Sequence, residues 1–107
     1  AFKQIQSLKI PFIDPKVTQH SWYHYTLSFT SKRLRDRVRT TLENGGIETR
    51  VAFPPIHLQP MFNHSFKNLT LPNTLIAFET MLDIPCHAKM TENDINLIIK
   101  LIKSSII

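Results

Sequence analysis

The chain has 107 residues, 42% of them hydrophobic and 20% charged, with a net charge of +5 and a pI near 9.7. That length fits one domain, leaves no room for two, and is enough to bury roughly 60–70% of the unfolded surface. No apolar run reaches the roughly 18–20 residues that span a bilayer, so no membrane insertion is expected. The single cysteine, Cys86, excludes an internal disulfide framework and points to a reducing, cytoplasmic setting.

Along the chain, Phe2, Ile5 and Leu8 sit at helical spacing, so residues 1–10 are expected to form the last turns of a helix, which Pro11 ends. The stretch WYHYTLSFT, residues 22–30, alternates as a strand with one buried face. Tyr23, Tyr25, Leu27 and Phe29 fall on that face, and Trp22, His24, Thr26 and Ser28 on the other. Ser31 is placed to cap a helix over residues 32–44, where Leu34, Val38 and Leu42 recur every fourth position. Gly45-Gly46 closes it. Ile47, Thr49, Val51 and Phe53 alternate again in a second strand that Pro54-Pro55 stops.

Residues 56–70 are expected as loop, with one helical turn near 60–64. Pro72 suits the first turn of a helix running to about Met81, residues 82–86 form a short strand, and Thr91 with Asp94 makes a capping-box start for a final apolar helix. The order is strand, helix, strand, loop, helix, strand, helix, and the strands are half polar. This predicts an α+β two-layer sandwich: a small, mostly antiparallel sheet with helices packed on one face.

The chemistry-bearing residues are sparse. Five histidines are scattered without a cysteine or carboxylate pattern to complete a metal set. Cys86 has no adjacent base and reads as a buried, inert thiol. The basic run from Lys32 to Arg39 puts Arg33 and Arg37 in one row and Lys32, Arg35 and Arg39 in another, flanking the apolar stripe. That is the pattern of a solvated outer helix face, since a nucleic-acid binder would interleave aromatics or glycines there. The two glycines are adjacent, so there is no phosphate-binding glycine loop, and no GxSxG or serine–histidine–acid pattern occurs. His57, directly after the proline stop, is the one suggestive polar residue: either a cleft-facing group or a loop histidine without a chemical role.

The order and spacing of Arg35-Asp36, Gly46-Ile47, Phe53, Pro55, His57, Leu71-Pro72, Ile84-Pro85 and Thr91 with Asp94 resembles the C-terminal part of the DegT/StrS-type sugar aminotransferases. These are pyridoxal-phosphate (PLP) enzymes of the aspartate-aminotransferase fold, and the resemblance covers residues 18–105. It implies that residues 1–17 are the end of an interdomain helix and linker from a large domain, and that residues 18–107 are the C-terminal small domain. None of the eight lysines matches the family's cofactor lysine, so this chain alone is expected to bind no PLP and to be inactive.

The full-length enzyme implied by the resemblance is a homodimer. It moves an amino group from a donor, typically glutamate, to a keto group of a nucleotide-linked sugar, for surface polysaccharide or related amino-sugar biosynthesis. His57, Phe53 and Arg50 are the implied substrate-binding residues, with no catalytic, cofactor-binding or metal residue in this stretch and no specific nucleic-acid partner. Phe53 stands where the family often has tyrosine. The alternatives are a non-catalytic basic binding module and a regulatory aminotransferase-like protein that has lost its lysine.

Overall fold

The computed structural model describes residues 1–106. At its centre, the alternating residues of β2 (Tyr25–Phe29) pair on both sides, with β1 (Leu8–Lys9) and with β4 (Met81–Ile84). The outermost strand, β3 (Arg50–Val51), pairs with β4. The sheet is antiparallel throughout, in the order β1-β2-β4-β3. Leu27 lies opposite Leu82 in the register, and both are 0% exposed.

Helices α1 (Lys32–Asn44), α2 (Pro72–Thr80) and α3 (Glu92–Ile106) complete the α+β fold. Val38 and Leu42 of α1 join Ile98 and Ile102 of α3 in one core with Leu27, Phe29 and Leu82. Burying each such side chain contributes roughly 1.5–3 kcal/mol.

The helix ends follow from their sequence. Ser31 is extended and its hydroxyl accepts the Leu34 N–H at 3.2 Å, starting α1 where the expected cap stood. Gly46 takes φ 78°, a left-handed conformation that costs glycine nothing, while a Cβ on Gly45 would lie 2.5 Å from Leu101 Cδ1 of α3. Ahead of α3, Asp94 Oδ2 accepts from the Thr91 N–H (2.8 Å) and hydroxyl (2.7 Å), and the Thr91 hydroxyl oxygen accepts the Asp94 N–H at 3.2 Å. This is the reciprocal capping box.

Several expectations are corrected. Residues 1–10 hold no helix. Ile5 N–H donates to the Phe2 carbonyl and Leu8 N–H to the Ile5 carbonyl, at 3.0 and 3.3 Å. The spacing of Phe2, Ile5 and Leu8 therefore reflects two successive tight turns, after which Leu8 and Lys9 pair with Phe29 and Ser28. The strand expected from residue 22 begins at Tyr25, because Trp22 has φ 50° and breaks the extended run. Tyr23 is consequently 84% exposed and not on the buried face.

The strand expected over 47–53 is paired only at Arg50 and Val51, since β3 lies at the sheet edge and has a single partner. A 3-10 turn forms at Ile56–Leu58, and the helical turn expected at 60–64 is present as isolated turns, with the Asn63 N–H donating to the Gln59 carbonyl at 2.9 Å and the Phe66 N–H to the Phe62 carbonyl at 3.2 Å. Cys86 is half-buried, not buried.

Arg35 corrects the reading of α1 as a helix with a solvated basic face. It is 6% exposed, and its Nη1 donates to the carbonyls of Phe78 (3.4 Å) and Met81 (3.2 Å), while Nε bonds Asp36 at 2.7 Å. Helix α2 passes into β4 without a loop: the Met81 N–H returns to the Ala77 carbonyl, and Arg35 bonds the Phe78 and Met81 carbonyls at the joint, where a cation complements the negative end of the helix dipole.

Candidate functional site

The sheet face opposite the core carries the polar half of the alternation. Thr26 of β2 is opposite Asp83 of β4, and Asp83 is opposite Arg50 of β3, so hydroxyl, carboxylate and guanidinium form one row across three strands. The Thr26 hydroxyl donates to Asp83 Oδ1 at 2.5 Å, and Nδ1 of His24 lies 2.7 Å from Asp83 Oδ2. His24, Arg50 and Asp83, together with Tyr23, Glu48, Thr49 and residues 84–87, line an open cleft of about 420 Å³.

Beside the cleft, Trp22 stacks on Tyr25 with ring centroids 5.2 Å apart, and the Trp22 backbone N–H donates to Nδ1 of His20 at 2.9 Å. Tyr23 meets the His24 ring edge-on at 4.3 Å.

Of the three residues implied as substrate contacts, Arg50 lines this cleft, exposed and only loosely associated with Glu48, its Nε 4.0 Å from Oε1. His57 does not. It is buried, 6% exposed, in the Ile56–Leu58 turn, and lines a separate pocket of about 390 Å³ with Asn63, His64 and Lys67. Phe53 lines neither and stands 89% exposed. The structure therefore brings none of the three together.

His24 and Asp83 were missed as a pair. They lie far apart in sequence, and the only local signal was the polar face of the β2 alternation. Among the described residues there is no cluster of histidine, cysteine, aspartate or glutamate able to hold a metal ion. PLP needs a lysine for its aldehyde and a cradle for its phosphate. No lysine lines the Arg50 cleft, and the two glycines close a helix. These residues do not by themselves fit that cofactor.

Known proteins share this fold. MJ1066 of Methanocaldococcus jannaschii is 30% identical over 107 residues, 95% of this chain and 28% of its own length. The aminotransferase TlmJ from Streptoalloteichus hindustanus superposes with a TM-score of 0.84 at 24% identity, covering 95% of this chain and 27% of TlmJ. Helicobacter pylori PseC, an aminotransferase involved in the biosynthesis of pseudoaminic acid, gives 0.82 at 18% identity, covering 98% of this chain and 29% of PseC. The chain thus spans less than a third of each relative. The sequence pattern of the DegT/DnrJ/EryC1/StrS aminotransferase family matches residues 1–103, and the chain belongs to that family.

Proposed function

We propose that the chain is the C-terminal small domain of a cytoplasmic, homodimeric, PLP-dependent sugar aminotransferase that carries an amino group from glutamate to a keto group of a nucleotide-linked sugar, in amino-sugar biosynthesis. The observation that carries this reading is the family match across residues 1–103. PLP supplies the electron sink for such a reaction, and in this reading it is held by residues outside this chain. The role left to the small domain is to bind and orient the sugar. Arg50 offers guanidinium donors that no close acceptor among the described residues occupies. Phe53 offers a bare aromatic ring without the tyrosine hydroxyl, suited to covering an apolar sugar face. His57, held in its turn, contributes through the edge that faces its pocket.

Against a basic binding module stands the pairing within α1. Lys32 bonds Asp36 at 2.8 Å, Arg39 bonds Glu43 at 2.7 Å, and Arg35 turns inward. Two of the five cations, Arg33 and Arg37, remain for an acidic partner, too few for a strong electrostatic footprint.

The test is to incubate the longer protein that contains this chain with PLP, glutamate and a panel of nucleotide-linked keto-sugars, following amino-sugar formation by mass spectrometry. Transamination of at least one sugar is expected, and its absence across the panel rejects the reading. In that enzyme His57→Ala is expected to lower kcat/KM by about 3- to 150-fold, the range for losing one neutral or charged hydrogen bond.

A further inference from the structure

One row of α1 keeps its cations without counterions among the described residues. The helix carries two carboxylates, and both are taken: Asp36 by Lys32 and Arg35, and Glu43 by Arg39. Arg33 and Arg37 are left over. Both are exposed, and four residues apart on a helix they leave the same face, with Cβ atoms about 5–6 Å apart, and repel each other. Their surroundings form a pocket of about 300 Å³, lined by the two arginines with Ser7, Ser31, Leu34 and Ile106. Ser7 lies just ahead of β1 and is held at the start of α1 by its carbonyl, which accepts the Thr30 N–H at 3.1 Å. Ile106 is the end of α3. The Ser31 oxygen already accepts the Leu34 N–H, so α1 is capped from within and the Ser31 hydroxyl proton remains to be donated.

Charge and shape decide the ligand. The lining offers two positive charges and N–H and O–H donors, and no carboxylate is part of it. A carboxylate has one charge and two oxygens in a plane, which a single guanidinium satisfies with two parallel bonds. Two guanidiniums and two hydroxyls match an anion with more charge and with oxygens pointing several ways. A nucleic-acid backbone needs a longer basic stripe than two residues. We propose that this pocket binds a doubly charged phosphoryl group, as inorganic phosphate or as the end of a small phosphate monoester, with Arg33 and Arg37 donating to its oxygens and Ser7 and Ser31 completing the shell. Helix α1 packs on the core side of the sheet, opposite the Arg50 cleft. The ligand is therefore neither the sugar nor the cofactor of the proposed enzyme, and the site does not depend on amino transfer. It ties the segment before β1 and the end of α3 to the first turns of α1, and so stabilises the fold by mass action.

The test uses the isotope-labelled 107-residue chain, at fixed ionic strength and slightly above neutral pH, where the phosphoryl group is largely a dianion. Inorganic phosphate and phenyl phosphate are expected to give saturable amide shifts at Ser7, Ser31, Arg33 and Arg37 and to raise the melting temperature. Tighter binding of one or the other tells free phosphate from an ester, and either supports the site. Shifts that do not saturate, or that acetate or chloride reproduces, overturn it. Arg33→Ala and Arg37→Ala are each expected to weaken phosphate about 1.5- to 5-fold, the range for exposed ion pairs, and the double variant to abolish saturation. Arg39→Ala takes the same charge from the same helix at a residue already paired with Glu43, and is expected to leave phosphate affinity unchanged. Equal losses in all three single variants would mean diffuse attraction to a basic helix, and would overturn the site.

Discussion

The β2–β4 centre and the segment from Phe53 to Leu71 contain similar apolar residues and put them to opposite uses. In the first, Leu27 and Leu82 face each other across a ladder, and α1 and α3 seal them from water. In the second, Phe53, Ile56, Leu58 and Met61 stand exposed, and Pro55 and His57 are the segment's only buried residues. Periodicity accounts for the difference. The centre repeats every second or fourth residue, so neighbouring elements can bury it on one face. The proline-broken segment has no repeat, and its apolar groups find no common side.

Substitutions can break or sharpen that contrast. The largest effect is expected from Leu82→Ala, which should lower unfolding free energy by about 2–5 kcal/mol through lost transfer energy and a cavity. Arg35→Ala should follow at about 2–3 kcal/mol, because it removes charged hydrogen bonds to carbonyls at the α2–β4 joint, and Arg35→Lys should not restore the loss in full, having no planar fork. His57→Ala should cost about 1–2 kcal/mol, marking it as the segment's anchor. All three are read from denaturant unfolding, and a Leu82→Ala protein as stable as the parent contradicts the assigned core.

Acid should act more gently. Asp36, bonded first by Lys32 and then by Arg35, Glu43 by Arg39, and Asp94 by the N–H and hydroxyl of Thr91, all have carboxyl pKa values below the ordinary 3.8 or 4.5. A pKa lowered by folding stabilises above the unfolded value, and that stabilisation is lost as pH falls through the folded one. The melting temperature should therefore fall below about pH 4, and Asp94→Asn should flatten that limb. A melting temperature independent of acid would show that these contacts are absent in solution. The smallest effect belongs to Phe53→Ala, within about 0.5 kcal/mol, as expected for an exposed ring.

What the sequence disclosed was local. The Ser31 cap, the 32–44 helix and the Thr91–Asp94 box each depend on residues within a few positions of one another, and each stands where expected. The errors came from patterns with two physical causes. Phe2, Ile5 and Leu8 have the spacing of a helix and also of consecutive tight turns. The alternation of Ile47 to Phe53 was genuine, but the strand lies at the sheet edge with one neighbour and pairs with it only at Arg50 and Val51. The inward turn of Arg35 and the His24–Asp83 contact were hidden for another reason: their partners lie 43 to 59 residues away, beyond any local spacing rule.

Trp22 is the only tryptophan, and its indole is fixed in the left-handed bend ahead of β2, stacked on Tyr25 and close to His20. Tryptophan emission from this chain thus has a single source, at the rim of the cleft and not in the helical core. A shift in its wavelength or intensity reports the opening of that bend, so fluorescence and circular dichroism followed together would reveal whether the rim loosens before the helices melt.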